Sequence, residues 1–99
     1  MEIKISSKNV DITDAIHSTV YKKIEHIHML EKLQHIDIKI DAQHHKPQKV
    51  SIDFHYMNKD YHLESEDKDF YSAMDLVIKK LNRQLVKIKE TKNTHLMKH

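Results

Sequence analysis

Ile3 and Ile5 alternate with Glu2, Lys4 and Ser6. That is the period of two expected of a strand with one covered face. From Ile16 the period changes. Ile16, Val20, Ile24 and Ile27 recur every three or four residues, which places them on one stripe of a helix. Thr13 precedes Asp14 and Ala15. It offers a side-chain acceptor to the first amides, and Asp14 puts an acid where the helix dipole favours one. No proline or glycine interrupts the segment, and this helix is expected to run to about Leu33.

Alternation then returns. Ile36, Ile38, Ile40 and Ala42 interleave with His35, Asp37, Lys39 and Asp41 as a half-buried strand. His44–Gln48, with Pro47, reads as a loop, and Val50, Ile52, Phe54 and Tyr56 as the next strand. Asn58, Lys59 and Asp60 are expected to turn the chain, because asparagine tolerates the left-handed region. Tyr61, Leu63 and Ser65 then continue as a hairpin partner. From Asp67–Asp69 onward Met74, Val77, Ile78, Leu81, Leu85 and Ile88 fall on one helical face. The apolar spacing stops near Thr91. One domain over 1–92 and a short flexible tail over 93–99 are expected. The element order β-α-β-β-β-α predicts a two-layer α+β fold, with a four-stranded, mostly antiparallel sheet and both helices on one face.

Ninety-nine residues suit one domain. There is no cysteine to staple it, in keeping with a reducing compartment. No apolar run approaches the ~20 residues of a membrane span. The alternating N-terminus is unlike a signal peptide. A soluble cytoplasmic protein with no membrane partner is the expectation. There is no glycine either, which excludes a glycine-rich phosphate loop and leaves turns to Asn, Asp and Pro.

Charge sharpens the picture. The net value of +2 conceals an asymmetry. Residues 1–78 carry ten basic and fourteen acidic side chains, whereas residues 79–99 carry seven and one. With 100° per residue counted from Met74, Lys79, Arg83, Lys87 and Lys80 fall between about 140° and 240°, away from the apolar face. Lys89 lies at the flank. The first helix adds Lys22 and Lys23. Lys23 falls inside the apolar stripe and is expected to lay its stem over the core and extend its ammonium outward. The helix dipole accounts for about two cations near a C-terminus, not for six between residues 79 and 92. Like charges so arranged repel one another, so an external polyanion should compensate. A membrane surface would want large apolar residues beside the cations. Nucleic-acid phosphate fits better.

Other chemistry is weaker. The histidine pieces His26-x-His28, His44-His45, His55 and His62 match no zinc spacing. Glu64, Glu66, Asp67 and Asp69 read as a solvated strand end and helix start rather than an acid–base cluster. No nucleophile and base can be paired. No catalytic residue, metal or cofactor is expected.

Three segments carry a resemblance. Asn9–Ile16 (NVDITDAI), Asp69–Asp75 (DFYSAMD) and Lys80–Lys89 (KLNRQLVKIK) resemble, in order and separation, segments of the ribosome hibernation promoting factor family, which also contains the ribosome-associated translation inhibitor. The resemblance implies a fold similar to double-stranded RNA-binding domains. It implies a stationary-phase factor that binds the small ribosomal subunit and its 16S rRNA in the channel for mRNA and tRNA. Such a factor blocks translation and favours inactive, dimerised ribosomes. It would place phosphate contacts at Lys23, Lys80, Arg83, Lys87 and Lys89. Lys22 and Lys79 are added by the charge pattern alone. Lys59 and Asp67 stand where the family has glycines, which bears on local turn geometry. A chain ending at His99 resembles the short form, expected to need a second small ribosome-dimerising protein. The alternative is a generic double-stranded RNA-binding module, since topology and basic helix would serve both. A third is a structural interaction protein whose ridge docks an acidic partner.

Overall fold

The computed structural model describes residues 2–27, 32–43 and 45–97, with side chains as far as Lys89. The elements are β1 (Glu2–Lys8), α1 (Asp14–Ile24), β2 (His35–Asp41), β3 (Gln48–Tyr56), β4 (Lys59–Asp67) and α2 (Phe70–Met97). The strands lie in the order β1-β2-β3-β4. β1 runs parallel to β2, as a connection through a helix allows. The other two pairings are antiparallel. The sheet is therefore mixed, with three of its four strands in one antiparallel run, as the alternation predicted.

Register follows from burial. Ile36 faces Phe54, Ile38 faces Ile52 and Ile40 faces Val50, and all six are buried. Phe54 stacks on Tyr61 across the next pair, with ring centroids 4.9 Å apart. A slip by one residue would turn every one of these side chains to solvent. Val20 and Ile24 of α1 close over this face, together with Ala73, Met74, Val77, Ile78, Leu81 and Leu85 of α2. Both helices thus cover the same side.

Thr13 caps α1 as expected, its hydroxyl accepting from the Ile16 amide at 3.2 Å. The end of α1 differs from expectation. The helix stops at Ile24 rather than near Leu33. The His26 amide bonds the Lys23 carbonyl at 3.0 Å and the Ile27 amide bonds the Ile24 carbonyl at 2.9 Å. These i→i−3 bonds tighten the last turn and aim Ile27 into the core, where it is buried. Of the rest of the expected helix, 28–31 lies outside the described residues, and Leu33 is buried in the core outside α1.

The hairpin turn also sits one residue earlier than expected. Tyr56 pairs with Lys59, so Met57 and Asn58 alone make the turn, with φ of 54° and 65°. Two consecutive left-handed residues match the twist of the flanking strands. Neither Lys59 nor Asp67 has positive φ. Neither position therefore requires glycine. Asp67 instead accepts from the Lys68 amide at 2.6 Å. Asp69 caps α2, accepting from the Ser72 amide at 2.8 Å. The α2 backbone stays helical to Met97, past the point near Thr91 where the apolar spacing ends. Extension adds a hydrogen bond for each residue ordered.

Candidate nucleic-acid interface

α1 and α2 lie side by side, and the seam between them opens as a groove of about 460 Å³. Its walls include Thr19, Lys22, Lys23 and His26 from α1 and the turn after it, and Asp75, Ile78, Lys79 and Asn82 from α2. Lys23 does what its position in the apolar stripe demands. Its side chain is 23% exposed, and its ammonium reaches across the seam to the Asp75 carboxylate. Lower down, the Asn82 side-chain amide donates to the His26 carbonyl at 3.0 Å. That bond satisfies an acceptor left over at the end of α1.

The far flank of α2 is built differently. Lys80 donates from Nζ to the main-chain carbonyl of Glu64 on β4, at 2.7 Å. Lys80, Arg83 and Lys87 surround a recess of about 200 Å³ with Leu63 and Gln84. The single ridge expected from the sequence is therefore two banks. Lys79 and Lys80 are neighbours in sequence and point about 100° apart, so one joins Lys22 and Lys23 in the groove and the other turns toward β4. Lys89 is exposed but lines neither recess. On α2, Leu76 and Val86 are exposed apolar side chains. They are too few for a membrane face and suited to a ribose or base edge.

Sequence reasoning missed Asp75, Thr19 and Asn82. Asp75 stands four residues before Lys79, and that spacing alone would have placed it on the same wall.

The solvent face of the sheet carries the opposite sign. Asp37 faces Asp53, which faces His62. His62 Nδ1 lies 2.7 Å from Asp53, and its Nε2 lies 3.6 Å from Glu64. Lys49 meets Glu64 at 2.5 Å, and His55 meets Asp60 at 2.8 Å. The hydrogen bond to Asp53 raises the His62 imidazole above its usual pKa. The Lys49 ammonium lowers the Glu64 carboxyl and is itself raised in turn. Of the histidines singled out for metal, His28 and His44 lie outside the described residues. Among the described residues no group of three or more His, Cys, Asp or Glu could hold an ion. No described helix is long and apolar enough to cross a membrane.

Two cationic banks on one helical face, with carboxylates gathered on the other face, can bind a polyanion from one side. Comparison with known proteins gives this face a context. Residues 3–93 match the family model described as Sigma 54 modulation protein / S30EA ribosomal protein. A ribosome hibernation promoting factor of Azotobacter vinelandii is 31% identical over 91 residues, which span 91% of this chain and 84% of that protein. A ribosomal subunit interface protein from Coxiella burnetii superposes with a TM-score of 0.84 at 25% identity, over 91% of this chain and 99% of that one. The N-terminal domain of Protein Y from Thermus thermophilus superposes with a TM-score of 0.77 at 26% identity, over 89% and 99%.

Proposed function

This chain belongs to the Sigma 54 modulation protein / S30EA ribosomal protein family, and from that premise we propose that it is a ribosome hibernation factor. It binds the small ribosomal subunit in the channel for mRNA and tRNA, through 16S rRNA phosphates. It blocks translation there and promotes inactive ribosome dimers together with a second small protein. The observation that carries this reading is the pair of cationic banks on the two-helix face, Lys22, Lys23 and Lys79 on one side and Lys80, Arg83 and Lys87 on the other. Seated between two phosphate backbones, such a helix contacts both. The names of the relatives, a hibernation promoting factor and a subunit interface protein, support the same partner.

The mechanism is occupancy. Cations and an exposed apolar edge bind and do not transform. Inhibition then scales with the number of ribosomes filled and reverses on washing. The test is sucrose-gradient sedimentation of the protein with purified small subunits, beside a cell-free translation assay titrated from substoichiometric to equimolar protein. Co-sedimentation and a stoichiometric end point are expected. Shutdown by a small fraction of one protein per ribosome, persisting after washing, would overturn the occupancy mechanism. Equal binding to naked duplex RNA would instead favour a generic double-stranded RNA module.

A further inference from the structure

Asp75 is the one carboxylate among the described residues that line the groove between α1 and α2, which otherwise presents Lys22, Lys23 and Lys79. We infer that Asp75 is a gate on that groove. It occupies the Lys23 ammonium and disfavours any polyanion, a regular duplex included, whose phosphates do not meet Lys22 and Lys79 in the same event. The inference rests on the reading that this groove receives RNA phosphate, and it adds the residue that sets its selectivity.

Three observations carry it. The ion pair spans the seam, from α1 to α2, so whatever enters must break it or pass over it. Its two members are unequally placed. Lys23 is 23% exposed and Asp75 is 57% exposed, so the cation stays anchored on the core while the carboxylate can swing into water. Finally, Asp75 and Lys79 are one helical turn apart on α2. Asp75 thus sits between lysines of both helices and reduces the groove from three positive charges to two.

The consequence is a threshold. A lone phosphodiester that takes Lys23 replaces one anion by another and leaves the displaced carboxylate beside it, so the exchange has no Coulombic gain. Two further phosphates, spaced to meet Lys22 and Lys79, tip the balance. Exposed ion pairs contribute little to stability, so opening this one costs the fold little. A carboxylate in a cationic groove weakens binding to every polyanion, and it weakens binding most to those that cannot fill the groove. That is discrimination against wrong partners by an unfavourable contact.

A purely structural role for Asp75, fastening α1 to α2, makes the opposite forecast. Asp75→Asn keeps the shape and removes the charge. Binding would be measured for wild type and variant against purified small subunits and against a 16-base-pair RNA duplex of unrelated sequence, at matched salt. On the gate, Asp75→Asn raises duplex affinity about five- to tenfold and subunit affinity less. The ratio between the two therefore falls. The duplex salt slope steepens by about 0.9, one further phosphate contact. Lys23→Ala then costs more affinity in the Asp75→Asn background than in wild type, because the lysine is no longer occupied. Asp75→Glu, which keeps the charge, retains the wild-type ratio. Weaker binding of Asp75→Asn to both targets, or a rise by the same factor for both, overturns the gate and leaves the ribosome-binding reading standing. Failure of wild type itself to bind small subunits overturns the reading and the gate with it.

Discussion

The side-chain amide of Asn82 donates to the main-chain carbonyl of His26 across a sequence distance of 56 residues, at 3.0 Å. It joins α2 to the tightened last turn of α1. Asn82→Ala is expected to lower stability by about 1 kcal/mol, the net contribution of one neutral hydrogen bond. For a domain of this size that is a fall in Tm of roughly 4–8 °C. Differential scanning calorimetry would show it, and an unchanged Tm would mean that this hydrogen bond adds nothing to the joining of the two helices.

Leu81 and Arg83 stand two positions apart on α2 and face opposite ways, the first buried and the second exposed. Leu81→Ala should cost about 2–5 kcal/mol, because it empties a core site. Arg83→Ala should leave the urea midpoint nearly unchanged and weaken ribosome binding. Equal destabilisation by the two changes would contradict the placement of Arg83 on the binding face.

Ribosome association should fall steeply with salt. If the six cations of the two banks, Lys22, Lys23, Lys79, Lys80, Arg83 and Lys87, each neutralise one phosphate, log Kd against log salt has a slope of magnitude about 5. A titration that gives a slope near zero would point to an apolar interface instead.

His62 titrates above its usual value because of its hydrogen bond to Asp53. A raised folded pKa stabilises the fold most where the imidazole is charged in both states, below its ordinary value of roughly 6.5. That stabilisation disappears as pH rises through the raised value. Wild type should therefore exceed His62→Gln in stability by more at the acidic end of a series from about pH 5.5 to 8.5 than at its alkaline end. A difference that grows with pH would contradict the ion pair.

Met57 carries a left-handed φ of 54° without the freedom of glycine. The conformation costs an ordinary residue about 1–2 kcal/mol, and glycine's greater entropy in the unfolded chain offsets about 0.5–1 kcal/mol. Met57→Gly should therefore raise stability by roughly 1 kcal/mol, seen as a higher urea midpoint with unchanged slope. A lower midpoint would show that the Met57 side chain contributes more than its backbone costs.

Periodicity made most of this molecule legible. The isoleucines of β2 and the leucines of α2 declare their covered faces because burial leaves one side chain in two, or one stripe in a helix, apolar. What sequence spacing did not disclose is tertiary. The bond from Asn82 to the turn after α1 spans 56 residues, and the partner of Lys23 is 52 residues away. No local pattern marks either. The hairpin misled by one residue because Asn58 signals a turn and Met57 does not, while the Tyr56–Lys59 pairing selects both. The seven cations were visible as charges, but the division of six of them into two banks needed β4, whose Glu64 carbonyl draws Lys80 aside.

The opposed charge of the two faces also acts before any contact forms. A polyanion attracts the helix face and repels the carboxylates on the outside of the sheet, so it exerts a torque on the approaching protein. Encounters that begin backward are turned, and the fraction that arrive ready to dock rises. Added salt shortens the range of that torque. The speed of capture, more than the lifetime of the docked state, should therefore register the ionic strength of the surroundings.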